Sequence, residues 1–212
     1  MKKVLQRPES GYRRSVKVAI CVPFLGDVKG RCAGSLFALG RANPSIDLNL
    51  LLHTSSTLPI GRNTLATEAL KWGADWLLWI DSDQTFPPDT LTRLLAHERS
   101  FVAANIRRRI PDRVVASCRG LDGNLVETSG AKGGGLEEVA SVGFGLCLVG
   151  RAVFEMVASP WFDIELAPDG LTGTHEDYYF CREARKAGVQ IFVDHALSME
   201  VGHIAETVLT FR

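Results

Sequence analysis

The sequence predicts an α/β domain with a mostly parallel central sheet and antiparallel additions in its C-terminal half. Apolar, β-branched runs alternate with amphipathic stretches through the first hundred residues, which is typical of βαβ units. After Asn105 the pattern changes to short strand-like runs around turn residues, which is typical of antiparallel pieces. The 212 residues, 46% of them hydrophobic, are enough for one sizeable core.

The first half is predicted to contain four strands and three helices. In chain order these are a strand over 16–22 ended by Pro23, a helix over 32–40, a strand over 47–53, a helix over 63–72, a strand over 76–80, a helix over 90–97 capped by Asp89, and a strand over 101–104.

The second half is predicted to add strands over 114–118, 124–127, 137–140, 143–149 and 190–193, and helices over 151–157 and 176–188. The glycines at 133–135 indicate a flexible loop and not a phosphate cradle, because no Lys-Ser/Thr pair follows them. Residues 1–15 are predicted to form a flexible basic tail, and residues 16–212 a single domain.

Composition excludes a global electrostatic attraction to nucleic acid or membrane, because 24 Lys and Arg balance 24 Asp and Glu. Basic charge is concentrated locally, in the tail and at Arg107, Arg108 and Arg109. The five cysteines follow no C-x-x-C spacing, which favours buried free thiols in a reducing compartment. No window reaches about 18 consecutive apolar residues, so a cytoplasmic location is expected.

The most informative motif is a pair of carboxylates, Asp81 and Asp83, directly after the apolar run 76–80. Residues i and i+2 of an extended chain point to the same side, and α/β sheets bind ligands at the carboxyl ends of their strands. Two carboxylates there predict a hard divalent cation with a phosphate behind it. A turn or capping role is the alternative, and it accounts for one aspartate more readily than for two.

Three further polar positions have two interpretations each. Arg62 stands where the second helix is predicted to begin, which suits an anion contact, while Asn63 beside it suits either the N-cap or the same contact. Glu176 and Asp177 are either ordinary dipole partners of a first helical turn or a catalytic base. His203 is either structural or a metal ligand that joins the aspartate pair.

Taken together, these motifs resemble those of GT-A glycosyltransferases, and most closely the compact family-2-like transferases of bacteria and their phages. The resemblance covers roughly residues 16–205. It rests on the order of Arg62-Asn63, Asp81-Ser82-Asp83, Phe86-Pro87-Pro88-Asp89, Gly143-Phe144-Gly145, Glu176-Asp177 and Val201-Gly202-His203.

This resemblance implies a GT-A (Rossmann-like) fold and a nucleotide-diphosphate sugar donor, a UDP-sugar, held through Mn²⁺ or Mg²⁺. Asp83 would bind the metal directly, Asp81 the ribose or the outer shell of the metal, and His203 would be a further ligand. The remaining donor-binding positions implied are Arg62, Asn63, Ser82, Gly143, Phe144 and Gly145. Asp177, with Glu176, would supply the general base of an inverting reaction, a role that a retaining outcome would remove.

The acceptor implied is a hydroxyl group, carried by a modified phage DNA base, a glycan or a protein, and a phage-encoded chain would act in the host cytoplasm. Arg107, Arg108 and Arg109 would close over the diphosphate or contact the acceptor, or form a solvated basic face. Trp161 and Phe162 would stack on a sugar or base of the acceptor, or pack in the core.

A nucleotidyltransferase is a first alternative. A glycine-rich loop with a lysine would favour it, but residues 26–30 match such a loop poorly. A non-catalytic module that binds a nucleotide-sugar or nucleic acid is a second alternative, and it would tolerate loss of Asp177.

Overall fold

The structure is a computed structural model that describes residues 15–110, 116–129, 135–171 and 173–205. Its elements are β1 (Lys17–Phe24), α1 (Gly30–Ala42), β2 (Asp47–Thr54), α2 (Leu58–Trp72), β3 (Trp76–Ile80), β4 (Gln84–Thr85), α3 (Thr90–Ala96), β5 (Phe101–Ala103), β6 (Leu136–Val139), β7 (Leu146–Gly150), α4 (Arg151–Met156), β8 (Glu165–Leu166), β9 (Gly173–Thr174), α5 (Glu176–Lys186), β10 (Ile191–Asp194), α6 (His195–Ser198) and β11 (Gly202–His203).

Seven strands form one sheet in the order β2-β1-β3-β7-β5-β10-β6. β1 pairs in parallel with β2 and β3, and β10 pairs in parallel with β5, whereas β7 and β6 run antiparallel to their neighbours. The predicted fold class is therefore confirmed: α/β, mostly parallel, with antiparallel strands from the C-terminal half. The architecture is compatible with a Rossmann-like GT-A fold.

The sheet is covered on both faces, so its central strand is apolar at every position. Leu77 and Trp79 of β3 belong to the core cluster on one face, and Leu78 and Ile80 to the cluster on the other. This double burial is why the run 76–80 is continuously hydrophobic instead of alternating. The strand therefore ends abruptly where polar residues begin, at Asp81.

The structure corrects two predicted boundaries in the first half. β1 continues through Pro23. Beyond Cys21, which pairs with Trp79 of β3, β1 is hydrogen-bonded only to β2. Proline, which has no N–H to donate, is tolerated there because that side of β1 has no partner strand. α2 begins at Leu58, with proline in its first turn, five residues before the predicted start. The interpretation of Asn63 as an N-cap is therefore wrong. Asp89 does precede α3, but its side chain makes no capping hydrogen bond.

The second half departs further from prediction. No strand forms over 124–127, where Leu125 makes only an isolated bridge to Arg119. β7 begins at Leu146 instead of residue 143. Of the strand predicted over 114–118, residues 114–115 lie outside the described part of the chain, as do residues 1–14 of the predicted tail and 133–134 of the predicted loop. The two-residue strands β4, β8, β9 and β11 were not predicted, because each exists only through its partner.

The five cysteines are free and buried, as expected from their spacing. Within the residues that the structure describes, no helix combines the length and apolarity that crossing a membrane would require.

Candidate functional site

The turn Asp81-Ser82-Asp83 follows β3 at the carboxyl edge of the sheet, and distant backbone holds it in place. The Asp81 amide donates to the carbonyl of Gly145 (3.0 Å), and the Ser82 carbonyl accepts from the amide of Lys29 (2.9 Å). The Asp83 carbonyl accepts from the amide of Ile204 (2.8 Å). Three chain segments therefore determine where the two carboxylates point.

Asp83 is surrounded by donors. Its Oδ2 lies 3.0 Å from Nη1 of Arg109 and 3.3 Å from Nε2 of His203, and its Oδ1 accepts from Nε2 of Gln84 (3.3 Å). Burial disfavours the charged carboxylate, but the hydrogen bond and charge of His203, followed by the charge of Arg109, outweigh it and lower the pKa of Asp83. The ionised form of Asp83 is therefore favoured.

His203 reaches this position through the small β4–β11 ribbon, in which it pairs with Gln84 and Gly202 pairs with Thr85. Its Nδ1 lies 2.9 Å from the carbonyl oxygen of Arg107, which can only accept, so Nδ1 carries a hydrogen. In the neutral ring, Nε2 then presents a lone pair on the side of Asp83. The hydrogen bond to Asp83 favours the protonated ring and raises the pKa of His203.

Arg62 lies behind the turn, and its side chain is only 2% exposed. Its Nε donates to Oε1 of Glu176 (3.2 Å), and its Nη2 donates to Oδ1 of Asp81 (3.0 Å). Burial disfavours the guanidinium charge, but Asp81 and Glu176 outweigh it and raise the pKa of Arg62. Arg62 thus joins the end of β3 to the start of α5, and its guanidinium is not open to solvent.

Asn63 is also occupied within the protein. Its amide nitrogen donates to the carbonyls of Pro59 (2.9 Å) and Phe162 (2.7 Å). Its Oδ1 accepts from the amides of Trp161 (3.0 Å) and Phe162 (3.2 Å). Both donors and both lone pairs of the side chain are used, so Asn63 anchors the segment 161–162 to α2.

Trp161 and Phe162 adopt the core-packing alternative. Phe162 is 1% exposed and stacks on Phe180 at a ring separation of 4.9 Å. The indole N–H of Trp161 donates to the carbonyl of Phe154 (3.0 Å), and the indole packs edge-on against the ring of Phe154. Stacking of Phe162 on an acceptor is therefore wrong, because its ring has no surface to offer.

Asp177, the second residue of α5, differs from Glu176 in having no ion-pair partner among the described residues. Its Oδ1 accepts from the amide of Tyr178 (2.8 Å). Burial, and then the charge of Glu176, raise the pKa of Asp177 to about 6. A carboxylate with this pKa is a competent proton acceptor near neutral pH.

The segment Gly143-Phe144-Gly145 passes beneath both carboxylates. A Cβ on Gly143 would lie 3.7 Å from Oδ2 of Asp177, and one on Gly145 would lie 3.5 Å from Oδ2 of Asp81. The ring of Phe144 is buried between them, 5.3 Å from the guanidinium of Arg62. A Cβ would also lie 3.1 Å from Cβ of Ser117 at position 143, and 3.1 Å from Cγ1 of Ile106 at position 145. The two glycines therefore let the backbone pass close beside the two aspartates.

A cavity of about 1050 Å³ opens beside Asp177. Its lining includes Glu176, Asp177, Tyr178, Ser117, Arg108 and Arg119, but neither Asp81 nor Asp83. The buried ion pair of Arg62 and Glu176 thus lies between this cavity and the sheet edge that carries Asp81 and Asp83, the Asp81–Asp83 edge. The three consecutive arginines have different surroundings. Arg109 contacts Asp83, Arg108 lines this cavity, and Arg107 lines a separate cavity.

The fit of a divalent metal to this edge depends on two residues. Across the described ranges, no group of three or more His, Cys, Asp or Glu side chains is arranged to hold a metal ion. Asp83 and His203 do converge, while Asp81 has one oxygen committed to Arg62. Mg²⁺ and similar ions are commonly held by one or two protein ligands, with substrate phosphates and waters completing the shell. The pair Asp83 and His203 fits that kind of site.

Sequence reasoning missed several residues that the structure brings to the site. Gln84 is fully buried and orients Asp83, and Ser117 accepts a hydrogen bond from the Tyr178 hydroxyl at its carbonyl (2.7 Å). Arg119 lines the cavity. Position next to a motif was the one available signal for Gln84 and Tyr178. Arg119 belongs to the local basic patch that begins at Arg107, and Ser117 carried no signal.

Comparison with known proteins establishes a likeness of fold alone. No protein-family model matches the chain, and no curated protein matches it. Among solved structures, A197 from STIV aligns over 93% of this chain and 98% of its own, with a TM-score of 0.57 and 13% identity. A glycosyltransferase involved in the glycosylation of the major capsid of PBCV-1 aligns over 66% of this chain and 63% of its own, with a TM-score of 0.37 and 11% identity, a value too low to support an argument.

Proposed function

We propose that this protein is a metal-dependent glycosyltransferase that moves a sugar from a nucleotide-diphosphate sugar, a UDP-sugar, to a hydroxyl acceptor. One observation carries the proposal. Arg62 holds Asp81 and Glu176 together, so that an edge suited to a cation and a diphosphate adjoins a cavity that contains a carboxylate able to accept a proton.

The donor would lie on the Asp81–Asp83 edge. Asp83 and His203 would hold Mn²⁺ or Mg²⁺, which supplies positive charge to the departing diphosphate. Arg109, which is exposed and already at Asp83, would turn towards the diphosphate oxygens. The Asp81 side chain is 36% exposed, and its Oδ2, which is not bonded to Arg62, would accept from a ribose hydroxyl.

The acceptor would enter the cavity, with its hydroxyl group at Asp177. As the hydroxyl oxygen attacks the anomeric carbon, a carbon–oxygen bond forms and the bond from that carbon to the diphosphate oxygen breaks. The electron pair of the broken bond leaves with the nucleoside diphosphate, and the hydroxyl proton passes to the Asp177 carboxylate. Because donor and acceptor lie on opposite sides of the transferred sugar, this reaction inverts the anomeric centre.

Glu176 would act as a positioning residue. Its side chain is 8% exposed and bound to Arg62, so it does not reach the hydroxyl. Its negative charge raises the pKa of its neighbour Asp177, which strengthens that residue as a base. The glycines at 143 and 145 would let the backbone approach the transferred sugar or the acceptor. A hydroxylated phage DNA base and a glycan are the acceptors proposed.

The test is a thermal-shift titration with UDP and UDP-sugars, in Mn²⁺, in Mg²⁺ and in chelator. The wild type should be stabilised by UDP only when metal is present. The control Asp89→Asn, which changes an exposed aspartate that makes no capping hydrogen bond, should behave in the same way. Asp83→Asn should lose that metal-dependent shift. Equal stabilisation in chelator would count against the metal, and no response to any nucleotide would refute the donor assignment.

A further inference from the structure

Among the described residues, five Lys and Arg side chains line the cavity beside Asp177, and these five differ in their partners. Arg182 contacts Glu165 (2.6 Å) and Glu183 (2.9 Å), and Lys186 shares Glu183 (2.9 Å). Arg185 lies 3.6 Å from Glu138 and donates to the carbonyl of Val139 (3.2 Å). These three charges are therefore already balanced.

The other two cations, Arg108 and Arg119, have no carboxylate at ion-pair distance within the described ranges of the chain. Arg119 is fixed at its backbone, which bridges to both Leu125 and Ser141, and its Nη1 donates to the carbonyl of Gly123 (3.0 Å). Its Nε and Nη2 make no hydrogen bond to any described residue, and the side chain is exposed. Arg119 is thus a positioned guanidinium with donors to spare.

Both guanidinium groups act on the same wall of the cavity. Burial raises the pKa of Tyr178, and the charges of Arg119 and Arg108 oppose that rise. Tyr178 directly follows Asp177, and its hydroxyl bonds the Ser117 carbonyl (2.7 Å). The unbalanced positive charge therefore lies close to the residue that would take the acceptor proton.

We propose that the acceptor carries a phosphate group, which Arg108 and Arg119 bind while the acceptor hydroxyl faces Asp177. This inference rests on the proposed function and specifies its acceptor. Guanidinium groups match phosphate oxygens in pairs, and two of them balance a dianion. A neutral sugar would leave both charges unmatched. Among the described residues that line the cavity, Tyr178 is the one Phe, Tyr or Trp side chain.

The first experiment measures binding of inorganic phosphate by calorimetry, with saturating UDP and Mg²⁺ occupying the donor edge. The double variant Arg108→Gln/Arg119→Gln should bind phosphate at least about tenfold more weakly than wild type, as expected for loss of charge-assisted hydrogen bonds. Arg182→Gln is the matched control, because it removes a cation of the same cavity that already has carboxylate partners. It should stay within about twofold of wild type.

Phosphate binding that is undetectable in wild type, or equal in wild type and the double variant, would overturn the inference. The UDP titration in the same samples reports separately on the proposed function: UDP bound without a phosphate effect sinks only the acceptor assignment, whereas no UDP binding sinks the donor assignment.

A second experiment distinguishes a small phosphate monoester from a nucleic-acid backbone as the source of the phosphate. A small monoester, glycerol 3-phosphate, is compared with glycerol, and an oligonucleotide carrying 5-hydroxymethylcytosine is compared with the free nucleoside. Sugar transfer is followed by mass spectrometry. The phosphorylated member of a pair should be the better acceptor, by about tenfold in kcat/KM, with that advantage lost in the double variant. Equal transfer to both members of each pair would overturn the inference.

Discussion

Arg62 and Glu176, separated by 114 positions in the chain, meet in a buried ion pair with 3.2 Å between Nε and Oε1. The same guanidinium also holds Asp81 at 3.0 Å. A buried charge is tolerated only when paired, and here one cation serves two carboxylates. The Arg62 side chain therefore joins the Asp81–Asp83 edge to α5, the helix that carries Asp177.

Substitution Arg62→Gln should destabilise the protein by about 3–5 kcal/mol, because it leaves the buried Glu176 without a cation. Urea unfolding measures the change. The comparison is Arg93→Gln, whose partner Glu200 is exposed at the surface, and which should cost less than about 1 kcal/mol. Similar losses in the two variants would show that the Arg62 network adds nothing special to stability.

Substitution Asp177→Asn should lower the rate of transfer by about 10²- to 10⁴-fold, because the amide cannot accept the hydroxyl proton. Binding of UDP with Mn²⁺, measured by thermal shift, should not change, since Asp177 faces the acceptor cavity. An Asn variant with wild-type kcat would remove Asp177 as the base.

The raised pKa of Asp177 makes a separate prediction about stability. Its carboxyl keeps its proton up to a pH of about 6 in the folded protein, compared with about 4 in the unfolded chain. The contribution of Asp177 to the free energy of unfolding is therefore fully present below about pH 4, and it is lost as the pH rises through 6.

Asn at position 177 does not titrate, so the variant should gain stability relative to wild type as the pH rises. The gain should be about 2 kcal/mol larger at pH 7.5 than at pH 4.5, by urea unfolding of both proteins. Other groups titrate in both proteins and cancel in the difference. A gain that does not vary with pH would mean that the pKa of Asp177 is ordinary.

Substitution Gly202→Ala should impair the metal-dependent response to UDP. An added Cβ would lie 2.5 Å from Oγ1 of Thr85, so the β4–β11 ribbon must shift and His203 moves away from Asp83. The thermal shift with UDP and Mn²⁺ should shrink. Gly34→Ala, where a Cβ meets open space, is the control.

A second substitution tests the cause. Thr85→Ala removes the oxygen that clashes, so the double variant Gly202→Ala/Thr85→Ala should recover the response to UDP and Mn²⁺. Failure to recover would place the defect elsewhere than at the position of His203.

The parts of the fold that are encoded locally were predictable. The continuous apolar run before Asp81 indicated a doubly covered strand, and β3 is one. The aspartate pair was therefore placed correctly at a strand end. Boundaries were less predictable: α2 starts at Leu58, where a proline-containing first turn carries no amphipathic signal, and that shift changed the role of Asn63 from cap to anchor.

Side-chain partners could not be predicted in the same way. Nothing near Arg62 in the chain indicates that it is buried, because its burial depends on Asp81 and on Glu176. The aromatic pair at 161–162 had two interpretations until the rings of Phe144 and Phe180 were seen to enclose Phe162.

Sequence periodicity and the chemistry of neighbouring residues were sufficient for the α/β class and for the aspartates at the end of β3, since both depend on contacts within a few residues. Three-dimensional folding was needed for the rest. His203 meets Asp83 across 120 positions through a two-residue ribbon, and Arg108 and Arg119 line the same cavity. Such contacts are set by chain closure and packing, and no local pattern of residues records them.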